Sequence, residues 1–409
     1  MSRGISDWQL EQFNRLWPDV CRRMPYFNRL QKQNDLPSAF SSWADFSKKT
    51  PFLERRNLHK DHSLLVSLGK KSEYWRTTGG STEEPVQIPA WNSEKEHARR
   101  DSKEARAWFG VESCDRLFLI WGHSHLLGRG IQRYWNRSTR FLKDQWLGYR
   151  RYSAYDLSEE GLRKAAKSLL NFKPKYVLGY SVALDRFARI NQDLSSKFHK
   201  LCLKVVIATA ESFPRPESPQ LIREVFGSPV AMEYGAVETG PMAHQDSTGI
   251  YRVFWKHFFL EAILSPEITG AYELLVTTLY PRYFPLVRYR IGDLILKGEG
   301  ADYSLQAFKA VIGRCNDLVY LKNDKVIHSE AFAHALKDTP SLLGYQVSQC
   351  NGEIKLIYLA KEPMAETAVN EIRRRLTLIH TELGSISLER VEHLHQTLAG
   401  KTSRIYITQ

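Results

Sequence analysis

At 409 residues the chain is longer than one hydrophobic core ordinarily fills, so two domains of unequal size are expected. An apolar fraction of 43%, with 12% aromatic and 25% charged residues, is the composition of a folded globular protein and excludes a disordered one. The formal charge of +13 favours phosphate-bearing partners, but the basic residues are spread along the chain, and the densest runs, RRYS at 150–153 and RRR at 373–375, are short. A solvated basic surface is therefore expected, with no nucleic-acid partner.

No apolar run approaches the ~20 residues of a membrane-crossing helix, and the charged N-terminus lacks the apolar run of a signal peptide. Cys21, Cys114, Cys202, Cys315 and Cys350 are odd in number and far apart, with no C-x-x-C pair, so they read as free thiols in a reducing cytoplasm.

In chain order, the first 70 residues read as helical and say nothing of function. A helix is expected from Ser93, with Glu96 completing a capping box and Trp108 and Phe109 toward its end. RLFLIW at 116–121 reads as a buried strand. A helix over 158–170 has Ser158 as cap, Glu159 and Glu160 at the positive end of its dipole, and one apolar face of Leu162, Ala165, Ala166, Leu169 and Leu170. PKYVLGY (174–180), LKVVIATA (203–210) and PVAMEYGA (229–236) each read as a strand running into a polar turn, where open α/β sheets bind ligands. The β-type runs YELLVTTL and LVRYRIGDLIL flank the proline-rich YPRYFP at 280–285. Beyond Gly313 come strands near 318–322, 344–349 and 353–359, a helix at 364–380 and a strand near 386–393. This alternation predicts an α/β protein: a large domain of mixed sheets and helices over 1–313, and a small, mobile α+β domain over 314–409.

Five short segments carry candidate chemistry. TTGGSTEEP, Thr77 to Pro85, offers backbone N–H groups and hydroxyls to a polyphosphate, although such a loop alone is more often a plain surface turn. EYGAVETG, Glu233 to Gly240, sets an aromatic, a glycine and a carboxylate at a strand end, suited to stacking a base and holding a divalent cation; a strand end with one surface glutamate is an equal reading. YRIGDL, Tyr289 to Leu294, presents a carboxylate suited to two ribose hydroxyls. GRCNDLV, Gly313 to Val319, stands at the expected domain boundary. In GKTSRI, Gly400 to Ile405, a lysine follows glycine in a flexible tail, and a lone lysine of this kind is ordinarily a solvated one.

In this order and at these separations, the five segments resemble the adenylate-forming superfamily of acyl-CoA synthetases, adenylation domains and luciferases. The form of the loop is most similar to its phenylacetate–CoA ligase and capsule-biosynthesis-associated branch. The resemblance runs from about Thr77 to Arg404. It implies an ATP-dependent ligase that activates a small carboxylic acid as an acyl-adenylate and passes the acyl group to coenzyme A. Thr77, Thr78, Gly79, Gly80, Ser81 and Thr82 then bind the ATP phosphates, Tyr234 and Gly235 pack on the adenine, and Ala210 and Glu211 line the same pocket. Glu238 holds Mg2+, Thr239 meets the α-phosphate, Asp293 binds the ribose, Arg314 reaches ribose or phosphate, Asp317 is the hinge and Lys401 is the catalytic cation. By position, Trp121, His123, His125, Tyr180 and His244 line the acyl pocket, although a histidine is more often a packed residue.

Two residues depart from the pattern: Glu83 replaces the last glycine of the phosphate loop, and Asn316 replaces the first acidic residue of the hinge. A carboxylate beside a triphosphate is electrostatically unhelpful. Acyl transfer to an amine, hydroxyl or carrier-protein thiol stays open, as do a non-catalytic nucleotide-binding role and a homodimer.

Overall fold

The computed structural model describes all residues except 1–3, 61–64, 78–86, 122–138, 140–141, 155–156, 267, 302–303, 315–317, 322–325, 329–331, 333–334, 337–338, 340–341, 351, 396–404 and 409. The chain is an α/β protein folded as two compact units: Met1–Ala98, Ala236–Met242 and Arg252–Gln409 form one, and Arg99–Gly235 with Ala243–Tyr251 form the other.

In the second unit, the strands Tyr149–Tyr152, Leu117–Ile120, Tyr176–Tyr180, Val205–Thr209 and Val230–Ala236 lie side by side in that order, all parallel. The central strands Leu117–Ile120, Tyr176–Tyr180 and Val205–Thr209 are buried on both faces, which is why they are written as continuous apolar runs. Phe118, Ile120, Val177, Val206 and Ala208 pack with Leu162, Ala165 and Ala166 of the helix Glu159–Phe172, and with Phe187 and Phe226. Leu117, Leu119, Leu178, Val205 and Ile207 form a separate cluster, as the two-residue period of a strand requires. Ser158 Oγ accepts the Gly161 N–H at 3.1 Å, so the expected cap is made.

The first unit contains an antiparallel set, Phe258–Leu264, Ala271–Thr278, Tyr289–Lys297 and Ala307–Arg314. The N-terminal helices, among them Ile5–Arg23 and Trp43–Lys49, bury Phe13, Trp17, Phe27, Phe40, Trp43 and Phe46 in one core with Phe259 and Phe284. The Trp43 and Phe259 rings stack 3.4 Å apart. Toward the C-terminus a smaller sheet, Ser387–Val391, Glu353–Leu359, Gly344–Cys350 and Ile405–Thr408, has its own core with Ile372 and Leu376 of the helix Glu366–Ile379.

Two local readings are corrected. Ser93 is the first helical residue and not the cap; Glu94 closes the turn, its Oε1 accepting the Trp91 N–H at 3.0 Å. The tail after Gly400 was expected to be flexible, yet it ends in a strand, Ile405–Thr408, parallel to Gly344–Cys350.

Candidate functional site

In the second unit, several nominated residues sit at the carboxyl ends of neighbouring parallel strands. Trp121 follows Leu117–Ile120, Tyr180 ends Tyr176–Tyr180, Ala210 and Glu211 follow Val205–Thr209, and Tyr234 and Gly235 close Val230–Ala236. That edge is where an open α/β sheet offers loops and helix starts to a ligand. The Trp121 and Tyr180 rings meet with centroids 4.8 Å apart. Gly179, before Tyr180, has no room for a side chain to spare: an added Cβ would lie 3.2 Å from the carbonyl oxygen of Ile120.

Ala210 is held at φ +73°, left-handed backbone that a non-glycine residue adopts at a cost of roughly 1–2 kcal/mol. Strain of this kind gathers at ligand-binding turns. Beside it, the Glu211 main-chain oxygen accepts the Ser181 hydroxyl at 2.7 Å, and its Oε1 accepts the Val182 N–H at 3.4 Å, at the start of the helix Ser181–Ile190. Tyr234 is buried, its ring edge-on to Tyr251 at 6.3 Å.

His244 is wholly buried against Trp108 and Phe109. Its Nδ1 lies 2.7 Å from the Gln245 carbonyl and so carries the proton, which leaves Nε2 a buried acceptor with no partner among the described residues. Burial pushes its pKa down, against the opposing pull of Glu233, itself bonded to Ser102 at 2.9 Å.

In the first unit, the turn carrying Glu238 and Thr239 is enclosed by charge. Glu238 Oε1 accepts from Arg55 Nη1 and from the Tyr289 hydroxyl, each at 3.2 Å. Its main-chain oxygen accepts from Arg282 Nη2 at 2.6 Å and Arg76 Nη1 at 3.4 Å. Both of these arginines also bind Glu94 Oε2, Arg76 at 2.8 Å and Arg282 at 3.0 Å, while Glu94 Oε1 accepts the Trp91 and Tyr283 N–H groups. Burial opposes ionisation of Glu94, but Arg282, Arg76 and the two N–H groups outweigh it and hold its carboxyl below the usual range. The Thr239 hydroxyl closes its own turn, accepting from Ala236 N and donating to the Gly240 carbonyl.

Arg76 directly precedes Thr77, the last residue of the strand Tyr74–Thr77. Asp293 and Arg314 face each other in register across adjacent antiparallel strands, so two residues nominated for one nucleotide are neighbours. Gly292, before Asp293, is left-handed at φ +81°. Thr78 to Thr82, Glu83, His123, His125, Asn316, Asp317 and Lys401 lie outside the described residues, as do the side chains of Thr77 and Arg314.

Mg2+ takes hard oxygen ligands and commonly uses one or two carboxylates together with substrate phosphates and water. Glu238 is buried and offers one such carboxylate, and among the described residues no three of His, Cys, Asp and Glu gather into a protein cage. The residues present therefore fit a metal shared with phosphate. Arg55, Arg76, Glu94 and Arg282 were not singled out as site residues from the sequence, and Tyr289 entered only as the first residue of the YRIGDL segment; Arg76 adjoins the phosphate loop.

This architecture is the fold of the adenylate-forming ligases, as the resemblance implied. A 2-hydroxyisobutyryl-CoA ligase, in the postadenylation state with an acyl-AMP bound, matches with TM-score 0.74 and 14% identity, covering 99% of this chain and 90% of its own. The amide bond synthetase McbA of Marinactinospora thermotolerans matches over 81% of this chain and 67% of its own, with TM-score 0.53 and 14% identity. By sequence, the chain is 21% identical over 342 residues to Protein CapK of Staphylococcus aureus, covering 81% of this chain and 73% of that protein. No family model matches. Among the described residues, no helix is long and apolar enough to cross a membrane, and Cys21, Cys114, Cys202 and Cys350 are free thiols.

Proposed function

We propose that the protein is an ATP-dependent ligase that activates a small carboxylic acid as its acyl-adenylate and transfers the acyl group to coenzyme A. An oxygen of the acid attacks the α-phosphorus of ATP, the bond to the bridging oxygen breaks, and pyrophosphate leaves. The coenzyme A sulfur, its proton lost, then attacks the acyl carbon and AMP departs. The observation that carries this reading is the buried carboxylate of Glu238, on a turn braced by arginines, in a chain whose fold matches an acyl-AMP-bound CoA ligase over 99% of its length.

Tyr234 and the Ala210–Glu211 turn take the adenine, Asp293 and Arg314 the ribose, and the segment from Thr77 to Thr82 with Thr239 the phosphates. Glu238 holds Mg2+, which offsets phosphate charge when bound. The small domain, 314–409, turns about Asp317 and delivers Lys401 to the reacting carboxylate and α-phosphate, where a preorganised charge lowers the barrier. Closure also keeps water from the mixed anhydride. Trp121, Tyr180 and His244, with His123 and His125, shape the acyl side.

The likeness to an amide bond synthetase supports a second reading, in which an amine is the acceptor. Pyrophosphate release measured over a panel of carboxylic acids, with coenzyme A or hydroxylamine added, tests both readings. No release with any acid overturns the ligase, and release with acyl transfer only to hydroxylamine favours the amine acceptor.

A further inference from the structure

The strand Gly344–Cys350 holds the chain on both sides of the segment that carries Lys401. On the upstream side, Gln346, only 1% exposed, uses both ends of its amide on one residue. Its Nε2 donates to the His395 carbonyl and its Oε1 accepts the His395 N–H, each at 2.8 Å. Two positions earlier on the same face of the strand, Gly344 leaves the space that Leu394 takes, since an added Cβ would lie 2.9 Å from Leu394 Cδ1. On the downstream side, Val347 pairs in register with Ile405, the first residue of the strand Ile405–Thr408. Residues 396–404, Lys401 among them, join these two anchors. A buried amide costs free energy unless its polar atoms are bonded, so the His395 peptide and Gln346 hold each other in one arrangement.

We propose that Gln346 is a positioning residue for Lys401: by fixing the His395 peptide, it sets the direction in which the chain enters 396–404. This rests on the reading of Lys401 as the catalytic cation. A charge lowers the barrier only if it is already placed where charge develops, and a misplacement of ~1 Å costs about 10²-fold in rate. Lys401 stands six positions after His395 and four before Ile405, so a turn of the His395 peptide passes to it through few bonds. Loop length is the lesser effect. Freeing 392–404 in place of 396–404 would change the closure entropy by less than about twofold in population, so a larger loss reports direction and not slack.

The test uses the full chain and the acid that gives pyrophosphate in the panel above. Gln346→Met keeps the bulk and removes both bonds to His395, and circular dichroism first shows that the variant is folded. Pyrophosphate release is expected to fall about tenfold or more, because Lys401 serves the first half-reaction. ATP affinity, and acyl transfer to coenzyme A or hydroxylamine from the preformed adenylate, should stay within about twofold of wild type. Lys401→Ala and the double variant complete a cycle: once Lys401 is gone, Gln346→Met costs nothing further. Losses that multiply in the double variant, or an undiminished rate in Gln346→Met, overturn the positioning role and leave Lys401 standing. An undiminished rate in Lys401→Ala overturns the reading of the lysine and the inference with it, and a panel that yields no pyrophosphate overturns the ligase. Should Gln346→Met not fold, amide hydrogen exchange in the wild type decides. A His395 N–H as protected as those of the strand Gly344–Cys350 supports the clamp, and one that exchanges freely refutes it.

Discussion

Glu94→Gln removes one charge from the interior without changing its shape, and the consequence follows from the hydrogen bonds. In the wild type, Oε2 of Glu94 accepts from Arg76 and Arg282, and Oε1 accepts from the Trp91 and Tyr283 N–H groups. All four neighbours are donors. A glutamine amide must turn its own NH2 toward two of them in either orientation, so two bonds are lost and donors are set against donors. Arg282, with a side chain 0% exposed, is left without its carboxylate. Breaking a buried pair from one side costs ~3–5 kcal/mol. At roughly 2–4 °C per kcal/mol, the melting temperature of the unit should fall by roughly 6–20 °C. Scanning calorimetry on the full chain checks this, with Glu96→Gln, an exposed neighbour on the same helix, as control. The acid limb supplies a second readout. Because the folded-state pKa of Glu94 is depressed, its stabilisation is present above the ordinary carboxylate pKa near 4.5 and is lost as pH falls through the folded value. The wild type should show that loss and Glu94→Gln should lack it. A variant that melts within about 1 °C of wild type, with the same acid limb, would refute the ion-pair account.

Four further outcomes are expected. Lys401→Ala should lower adenylate formation by ~10²–10³ with ATP affinity nearly unchanged; equal loss of ATP binding, measured by calorimetry, contradicts its role in a closed state. Glu83→Gly should tighten ATP binding up to ~30-fold if ~1–2 kcal/mol of repulsion survives screening, and an unchanged dissociation constant places Glu83 away from the phosphates. Ala210→Gly relieves the left-handed backbone at φ +73° and should raise stability by ~1 kcal/mol, less the entropy of the added freedom, while Ala210→Val should lower it. For His244, the unfolded chain takes up a proton first as pH drops below about 6.5, so wild-type stability should fall there, and His244→Asn should flatten the slope in denaturant titrations at pH 7 and pH 5.

What could be read in the sequence was what neighbouring residues decide among themselves. The helix Glu159–Phe172 announces itself through Ser158, two glutamates and an apolar stripe, all within fifteen positions. The strands at 117–120, 176–180 and 205–209 are buried on both faces and therefore written in apolar letters. The strand Tyr149–Tyr152 was missed for the converse reason. Its sequence YRRY reads as a basic run, and its strand identity comes from pairing with Leu117–Ile120. The helix Ser181–Ile190 has no local cap, and the carboxylate at its start comes from Glu211, thirty positions further along.

The candidate site divides in the same way. Glu238, Asp293 and the Thr77–Thr82 loop sit in short glycine-bearing segments whose chemistry is compact enough to be read as motifs. The groups that set the charge around Glu238 are not. Arg55 lies 183 positions from Glu238, and Glu94 lies 188 positions from Arg282. In a chain of formal charge +13, an arginine looks like surface until its partners are known. His244 is a second case of distant partners. Trp108 and Phe109, more than a hundred positions away, pack against it, and among the described residues only its Nδ1 is bonded. Motifs therefore nominate groups for a ligand, while burial and distant partners determine the charge that surrounds each of them.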